Sequence, residues 1–330
     1  MEIDSARELK ARIDRLVLAP LARREGRRID LAAQPFGTTA EPHRTVAVGI
    51  APCAETGFRL AVRIQRREME GGMQIERIRS LAKGEIDVRY IGRIVKRVLP
   101  WHRRRNRPLR IGGSIGHYGI TAGTLGCFVR RRSDEAPMIL SNNHVLADEN
   151  RAEIGDAILQ PGRYDGGRRG RDAIGYLADF VRLKPRAANA MDCAVANLKP
   201  RLDFDPVKLT GLGRLGGLAG DGPPEIAEVA KVGRTTGLTR GRITAFEIDN
   251  VIVGYDSGNL RFDDQIEIEG AGDGPFSDGG DSGSLIVDAE RRGIALLFAG
   301  SDQGGSNDQG LTYANPLPAV LRRLRVDLLT

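Results

Sequence analysis

At 330 residues, with 41% hydrophobic and 28% charged side chains, the chain has the make-up of a soluble globular protein of two or three structural units. No apolar run approaches the roughly 18 residues a bilayer span requires, and Met1-Glu2-Ile3-Asp4-Ser5 is acidic and mixed, unlike a secretory leader. The cysteines, Cys53, Cys127 and Cys193, are too few and too odd in number for a disulfide framework, so a reducing cytoplasm is the expected location. The net charge of +7 is unevenly placed: residues 1–110 hold 25 Lys and Arg against 13 Asp and Glu, leaving the remainder net acidic. The runs Arg23-Arg24-Glu25-Gly26-Arg27-Arg28 and His102-Arg103-Arg104-Arg105-Asn106-Arg107 could meet nucleic acid. Because only seven of the 50 basic residues are lysine, they read more simply as a chain-wide arginine bias in solvated loops.

In chain order, Ser5 and Glu8 have capping-box spacing, Leu9, Ile13, Leu16 and Val17 recur on one helical face, and Pro20 marks its end. A basic loop to about residue 43 follows, then strands at Thr45–Ile50 and Phe58–Gln65, a short helix around Ile75–Ala82, and a strand within Asp87–Val98. This predicts a small basic α/β domain over residues 1–107. From about Leu109 the grammar is all-β, with short apolar runs between Gly and Asp turns: Gly123–Val129 and Pro137–Leu140 as a hairpin, then Gly170–Leu177 and Asp192–Leu198. The Gly/Pro-rich stretch Gly211–Pro224 reads as a link. Beyond it, Glu228–Val232 and Gly241–Ile248 flank the tight turn Gly233-Arg234-Thr235-Thr236-Gly237, and strands follow at Asp264–Ile268, Leu285–Val287 and Ile294–Ala299. Leu317, Val320, Leu321 and Leu324 then recur at helical spacing, predicting a closing helix over 316–328.

Three segments carry chemistry. Gly280-Asp281-Ser282-Gly283-Ser284 precedes the apolar run Leu285-Ile286-Val287; Leu140-Ser141-Asn142-Asn143-His144-Val145-Leu146 lies upstream; Met191-Asp192-Cys193-Ala194-Val195-Ala196 lies between. In content and in the order His, Asp, Ser they resemble the trypsin-like serine peptidases, and the turn 233–237 resembles the first hairpin of the second barrel in bacterial members. Loosely, the whole chain is similar to bacterial and plant trypsin-like proteases with an N-terminal extension, including the plant NARROW LEAF type. The resemblance implies a mainly β fold: two six-stranded antiparallel β-barrels, chymotrypsin-like, at about 108–204 and 225–315, within a protease domain spanning 108–330.

The resemblance also implies a serine endopeptidase that works through an acyl-enzyme on a protein or peptide substrate, without metal or other cofactor. Ser282 would attack, His144 would take and return its proton, and Asp192 would orient the imidazole. The amides of Gly280 and Ser282 would form the oxyanion hole. Asp179, also beside an apolar run, competes with Asp192; Ser277 and Ser284 compete with Ser282 but lie outside the Gly-Asp-Ser-Gly frame. His43 and His102 sit in basic loops read as solvated, and His117 reads as packing near the barrel entrance. Phe276, six residues before Ser282, would lie at the base of the primary specificity pocket. Phe298-Ala299-Gly300 would form its opposite wall, favouring cleavage after small or medium apolar residues. Ser284 and Leu285 depart from the usual glycine and proline. In secreted relatives a cleaved N-terminus pairs with the aspartate preceding the serine; here over 100 residues precede the first barrel, so Asp281 needs another partner. Two other readings remain open: a latent or peptide-binding protease-like module, and a nucleic-acid-associated protein acting through its basic N-terminal region.

Overall fold

The computed structural model describes residues 1–20, 46–54, 57–65, 67–92, 94, 99–120, 122–220 and 228–330. The chain divides into two compact units, Met1–Val98 and Leu99–Thr330. The basic loop expected between residues 20 and 45, with His43, lies outside the described residues, as does most of the segment 93–98.

In the first unit β1 (Val46–Cys53) pairs antiparallel with β2 (Gly57–Ile64), which pairs in parallel with β3 (Ile86–Tyr90). Parallel neighbours need a crossover, supplied by helix α2 (Met73–Ala82), whose Ile75, Ile78 and Ala82 are buried. Helix α1 (Ile3–Ile13) has Glu2 as its N-cap and so begins three residues before the start that a Ser5 cap implies. Its first backbone bond runs from Ala6 N to Glu2 O, and Glu2 makes no side-chain cap, so the Ser5–Glu8 capping box does not form. Burial of Ala6 and Ile13 decides where this helix starts, overriding the capping signal. A wider π-helical turn, Asp14–Leu18, follows and carries Val17 into the core beside Leu60, Val62, Ile64, Ile75 and Ile78, and helical backbone runs on to Pro20, beyond which the chain lies outside the described residues.

The second unit is mainly β. Its first half contains β4 (Ser114–His117), β5 (Cys127–Arg131), β6 (Pro137–Ser141), β7 (Ala157–Leu159), β8 (Ala173–Phe180) and β9 (Ala194–Leu198), in spatial order β5-β6-β9-β8-β7-β4. Its second half is a closed barrel of β10 (Glu228–Gly233), β11 (Gly237–Ile248), β14 (Gln265–Gly270), β15 (Leu285–Val287), β16 (Gly293–Gly300) and β17 (Leu311–Pro316), in the order β10-β11-β14-β17-β16-β15. Number the strands of each half one to six along the chain, and both halves read 1-2-3-6-5-4 around the ring. The first ring closes through main-chain bonds, Gly112 N to Leu125 O and Leu125 N to Gly113 O, both 2.8 Å, ahead of β5. The topology is thus the two-barrel, chymotrypsin-like one. Between β11 and β14 a separate hairpin, β12 (Val251–Tyr255) and β13 (Gly258–Phe262), leaves the barrel.

Helix α4 (Leu317–Leu324) buries Leu317, Val320, Leu321 and Leu324, the four residues whose spacing predicts it. It stops earlier than expected because Arg325 turns left-handed (φ 55°). Val326–Leu328 then forms β18 along the edge of β5. One apolar cluster runs through both halves, joining Leu125, Phe128, Leu140 and Val195 to Ala230, Leu285, Leu296 and Leu317.

Candidate active site

His144 stands on a single helical turn, α3 (Asn143–Leu146), directly after β6. Two asparagines of ordinary turn type are buried there to fix it. Asn142 Nδ2 donates to Asp192 O at 2.7 Å, and Asn143 Nδ2 donates to Val181 O at 2.7 Å and to Asn150 Oδ1 at 2.9 Å. Asp192, at the start of β9, is wholly buried, and its carboxylate accepts four bonds. Oδ1 receives the amides of Asn143 (2.6 Å) and His144 (3.3 Å); Oδ2 receives His144 Nδ1–H and the Tyr255 hydroxyl, both at 2.6 Å. A carboxylate so enclosed is tolerable only because every lone-pair direction is used. Asp179, the rival, is exposed on a bulge of β8 and, among the described residues, accepts only the amide of Phe180. Asp192, and not Asp179, is the carboxylate paired with His144.

Burial works against a charged His144, but the charge and hydrogen bond of Asp192, with Glu149 beyond it, outweigh burial and hold the imidazole above its ordinary value. The same bond fixes the tautomer, leaving Nε2 as the basic nitrogen. A cleft of about 850 Å³ opens beside His144, lined among others by Ile120, Ala122, Tyr164, Glu149 and Asp256.

Ser282 lies on the loop before β15, tied to the His144 half through Thr124. Thr124 N donates to Ser282 O at 2.8 Å, its hydroxyl donates to Gly280 O at 3.0 Å, and its carbonyl accepts Ser141 Oγ at 2.7 Å. Gly283 allows this approach: a Cβ there would meet Ser141 Oγ at 2.0 Å and Thr124 O at 2.6 Å. Ser282 Oγ makes no hydrogen bond among the described residues, to His144 or any other group; such bonds often tighten only when substrate binds. Ser284 is committed otherwise, its hydroxyl donating to Asp281 O at 2.6 Å, and Ser277 Oγ pairs with Thr312 Oγ1 at 2.6 Å.

Two amides on this loop have no partner among the described residues, those of Gly280 and Ser282, whereas Asp281, Gly283 and Ser284 N–H are all engaged. Across a trans peptide the C=O of one residue and the N–H of the next point opposite ways. Gly279 O is held by Thr235 Oγ1 at 2.6 Å, so Gly280 N–H faces away from the 233–237 turn. Asp281 O is held by the amide and hydroxyl of Ser284, which turns Ser282 N–H away in the same manner. Gly280 sits at φ +94°, where a side chain is strained, and a Cβ would meet Thr235 Oγ1 at 2.7 Å.

The partner of Asp281 is Lys231, on β10. Both side chains are fully buried and their charged atoms lie 3.1 Å apart. Asp281 also accepts Thr235 N (2.7 Å), Thr236 N (3.2 Å), Thr236 Oγ1 (2.7 Å) and Asp278 N (3.1 Å). Lys231 Nζ bonds Thr236 Oγ1 as well, and burial pushes its ammonium below the ordinary value against the pull of Asp281. The turn that presents Thr235 and Thr236 is braced from outside: His102 Nδ1–H donates to Arg234 O at 2.7 Å, and Arg234 forms a two-pronged, nearly buried pair with Asp165 at 2.7 and 2.8 Å. His102 is therefore not the solvated loop residue its basic surroundings suggest; it is 8% exposed, and burial lowers its pKa. His117 packs at the barrel entrance against Asp156 at 3.1 Å.

The pocket residues fall as follows. Phe276 is 1% exposed and packs inside the closed barrel with Val229, Ile268 and Leu297, Lys231 Nζ standing 5.8 Å from its ring. Phe298 is buried with Leu183, Leu260 and Phe262, and Ala299 and Gly300 lead outward along β16. Cys127 and Cys193 are buried thiols whose pKa burial raises, core residues and not nucleophiles.

Lys231, Thr235 and Tyr255 are the site residues the sequence reading misses. A lysine inside the apolar run Val229-Ala230-Lys231-Val232 was the available signal for the first. For Tyr255 it was the alternation Val251, Val253, Tyr255 ahead of the turn-forming Asp256-Ser257-Gly258.

No protein-family model and no curated protein matches the chain. Similar solved structures include protease A of Thermobifida fusca (16% identity, 68% of this chain, all of that one, TM-score 0.47). A chymotrypsin of Cellulomonas bogoriensis (19%, 67% of this chain, 98% of that one, TM-score 0.45) and a Nocardiopsis protease (17%, 68% and 100%, TM-score 0.47) are others.

Proposed function

We propose that the second unit is a serine endopeptidase in which Ser282 is the nucleophile, His144 its general base and acid, Asp192 the orienting carboxylate, and the amides of Gly280 and Ser282 the oxyanion hole. The observation that carries the reading is the conjunction of a fully buried carboxylate 2.6 Å from His144 Nδ1 with a serine loop whose two free amides are aimed by pinned carbonyls. As Ser282 Oγ attacks the substrate carbonyl, His144 Nε2 takes its proton, and Asp192 stabilises the imidazolium without being protonated. The carbonyl oxygen becomes an oxyanion received by the two amides; collapse expels the amine, which leaves with the proton from His144, and water repeats the sequence on the acyl-enzyme.

Because Lys231 already holds Asp281, the site needs no N-terminal cleavage to assemble. For the primary pocket, neither Phe276 nor the Phe298-Ala299-Gly300 segment supplies an anion for a cationic side chain, so the proposed cleavage follows small or medium apolar residues. The unit Met1–Val98, with a core of its own, serves in docking or regulation. The expected location is the cytoplasm.

A fluorophosphonate probe tests the central claim. Wild-type protein should be modified at Ser282, located by peptide mass, and Ser282→Ala and His144→Ala proteins should not react. A folded wild-type protein that stays unmodified, or label found on another serine, would overturn it.

A further inference from the structure

We propose that the tip of the β12–β13 hairpin is a latch on the His144–Asp192 pair, in which Tyr255 and Glu149 are positioning residues that bias the imidazole in opposite directions. The inference deepens the protease reading and rests on it for its catalytic consequence, though not for its electrostatic one.

The hairpin leaves the closed barrel and returns to the segment that delivers Asp192. At its root Asn189 N donates to Arg261 O at 2.9 Å and Asp263 N to Asn189 O at 3.0 Å, while Leu260 and Phe262 pack with Leu183 and Phe298. At its tip three contacts converge on the site. The Tyr255 hydroxyl donates to Asp192 Oδ2, the oxygen that also accepts His144 Nδ1–H, and the tyrosine ring lies edge-on to His144 at 5.9 Å. The amides of Asp256 and Ser257 each donate to one oxygen of Glu149, both at 3.1 Å. Glu149 belongs to the chain just after the His144 turn, so the hairpin is fastened to both members of the pair.

The receiving segment is strained in a way that needs a reason. Asp148, Glu149 and Asn150 are consecutive non-glycine residues at positive φ (47°, 53° and 74°). Residues persist there only where their surroundings over-determine them. Here Asn150 is locked by a reciprocal pair with Asn143, at 2.9 and 3.1 Å, and by Leu183 at 2.9 Å, and the strain turns the Glu149 carboxylate toward the hairpin amides.

The two residues act on opposite sides of one proton equilibrium. Tyr255 draws on the Asp192 oxygen and so weakens its hold on a charged imidazole; Glu149 adds a negative charge that strengthens it. The other ionisable groups around His144 are these: Arg151 is shared by Asp148 (2.8 Å), Asp256 (3.2 Å) and, more distantly, Glu149 itself (3.9 Å), which offsets part of the Glu149 charge; Arg163 and Tyr164 line the cleft, and the Cys193 thiol is buried.

The test uses full-length wild-type, Tyr255→Phe, Glu149→Gln and doubly substituted proteins, with His144 assigned against His144→Gln. The His144 titration midpoint is followed by NMR, and kcat and KM are measured on a small ester. Tyr255→Phe should raise the midpoint and Glu149→Gln lower it, with kcat down by about ten- to a hundred-fold in each, as befits loss of a hydrogen bond to a charged group, and KM little changed. Both substitutions keep the shape of the side chain, so a purely structural role would shift the two midpoints together or not at all, and either result would overturn the latch. Opposite midpoint shifts without fluorophosphonate labelling would uphold the latch and sink the protease; labelling with unmoved midpoints would do the reverse.

Discussion

Lys231→Met removes the ammonium from a pair with no exposed surface and leaves the Asp281 carboxylate buried. Removing one partner of a buried ion pair costs about 3–5 kcal/mol, because the survivor is left uncompensated. Four donors stay on Asp281: Thr235 N, Thr236 N, Thr236 Oγ1 and Asp278 N, at 2.7 to 3.2 Å. Bonds to a charged acceptor are the stronger kind, so the lower end, about 3 kcal/mol, is expected. Against a domain stability of about 5–15 kcal/mol the variant still folds. Urea unfolding followed through Trp101, the sole tryptophan and a neighbour of the His102 brace, reads the loss. Asp281→Asn should cost less in stability, since Lys231, already below its ordinary pKa, can shed its proton and become a neutral amine. It should cost as much in activity, because the 278–282 loop loses its anchor. The double variant should be less destabilised than the sum of the singles, as interacting pairs are. A Lys231→Met protein within about 0.5 kcal/mol of wild type, labelled by fluorophosphonate at the wild-type rate, would refute the assignment of Lys231 as the group that holds the 278–282 loop.

Asp192→Asn should leave the unfolding transition in place and lower kcat by about 10⁴-fold, the loss expected when the imidazole tautomer is reversed; the same loss from Asp179→Asn would relocate the role. Since His144 is held above its ordinary value and must be neutral to act, kcat/KM should fall with acid through a midpoint above that of a free histidine, measured on an uncharged ester. In stability His144 and His102 work in opposite senses. The raised His144 contributes stability that is present below the unfolded pKa and lost as pH rises through the folded one. The lowered His102 contributes stability that is present above the unfolded pKa and lost as pH falls through the folded one. His102→Gln should therefore flatten the acid side of the Trp101 stability profile, and an unchanged profile would mean that His102 is not the group being titrated.

The fold was legible where the signal is local. Leu317, Val320, Leu321 and Leu324 are consecutive in their periodicity and all bury; Gly233 and Gly237 close a hairpin on either side of a three-residue turn. His144, Asp192 and Ser282 sit in short segments whose neighbours are set by the turn or strand that carries them. What stayed illegible depends on pairings made across the chain. Lys231 meets Asp281 from 50 residues away and Tyr255 meets Asp192 from 63, and neither segment shows more than an unexpected polar residue in an apolar strand. The Ser5–Glu8 spacing misled for the converse reason: a capping preference of about 1 kcal/mol yields to the burial of Ala6 and Ile13 on the sheet.

The spacing between the Ser282 loop and the His144 turn is set by main chain. Ser282 arrives on one half of the unit and His144 on the other, and where the halves touch, Thr124 bonds Ser282 O and Gly280 O while receiving Ser141 Oγ, three residues before His144. Gly283 leaves no room for a side chain at this contact. Such a contact is stiff but not strong, being a few hydrogen bonds of about 1 kcal/mol net each. What presses the halves together is the apolar cluster that joins Leu125, Phe128 and Leu140 to Leu285, Leu296 and Leu317. The same burial that stabilises the unit therefore also fixes where the hydroxyl stands relative to the imidazole. Polar groups at the seam choose the register; apolar ones hold it closed.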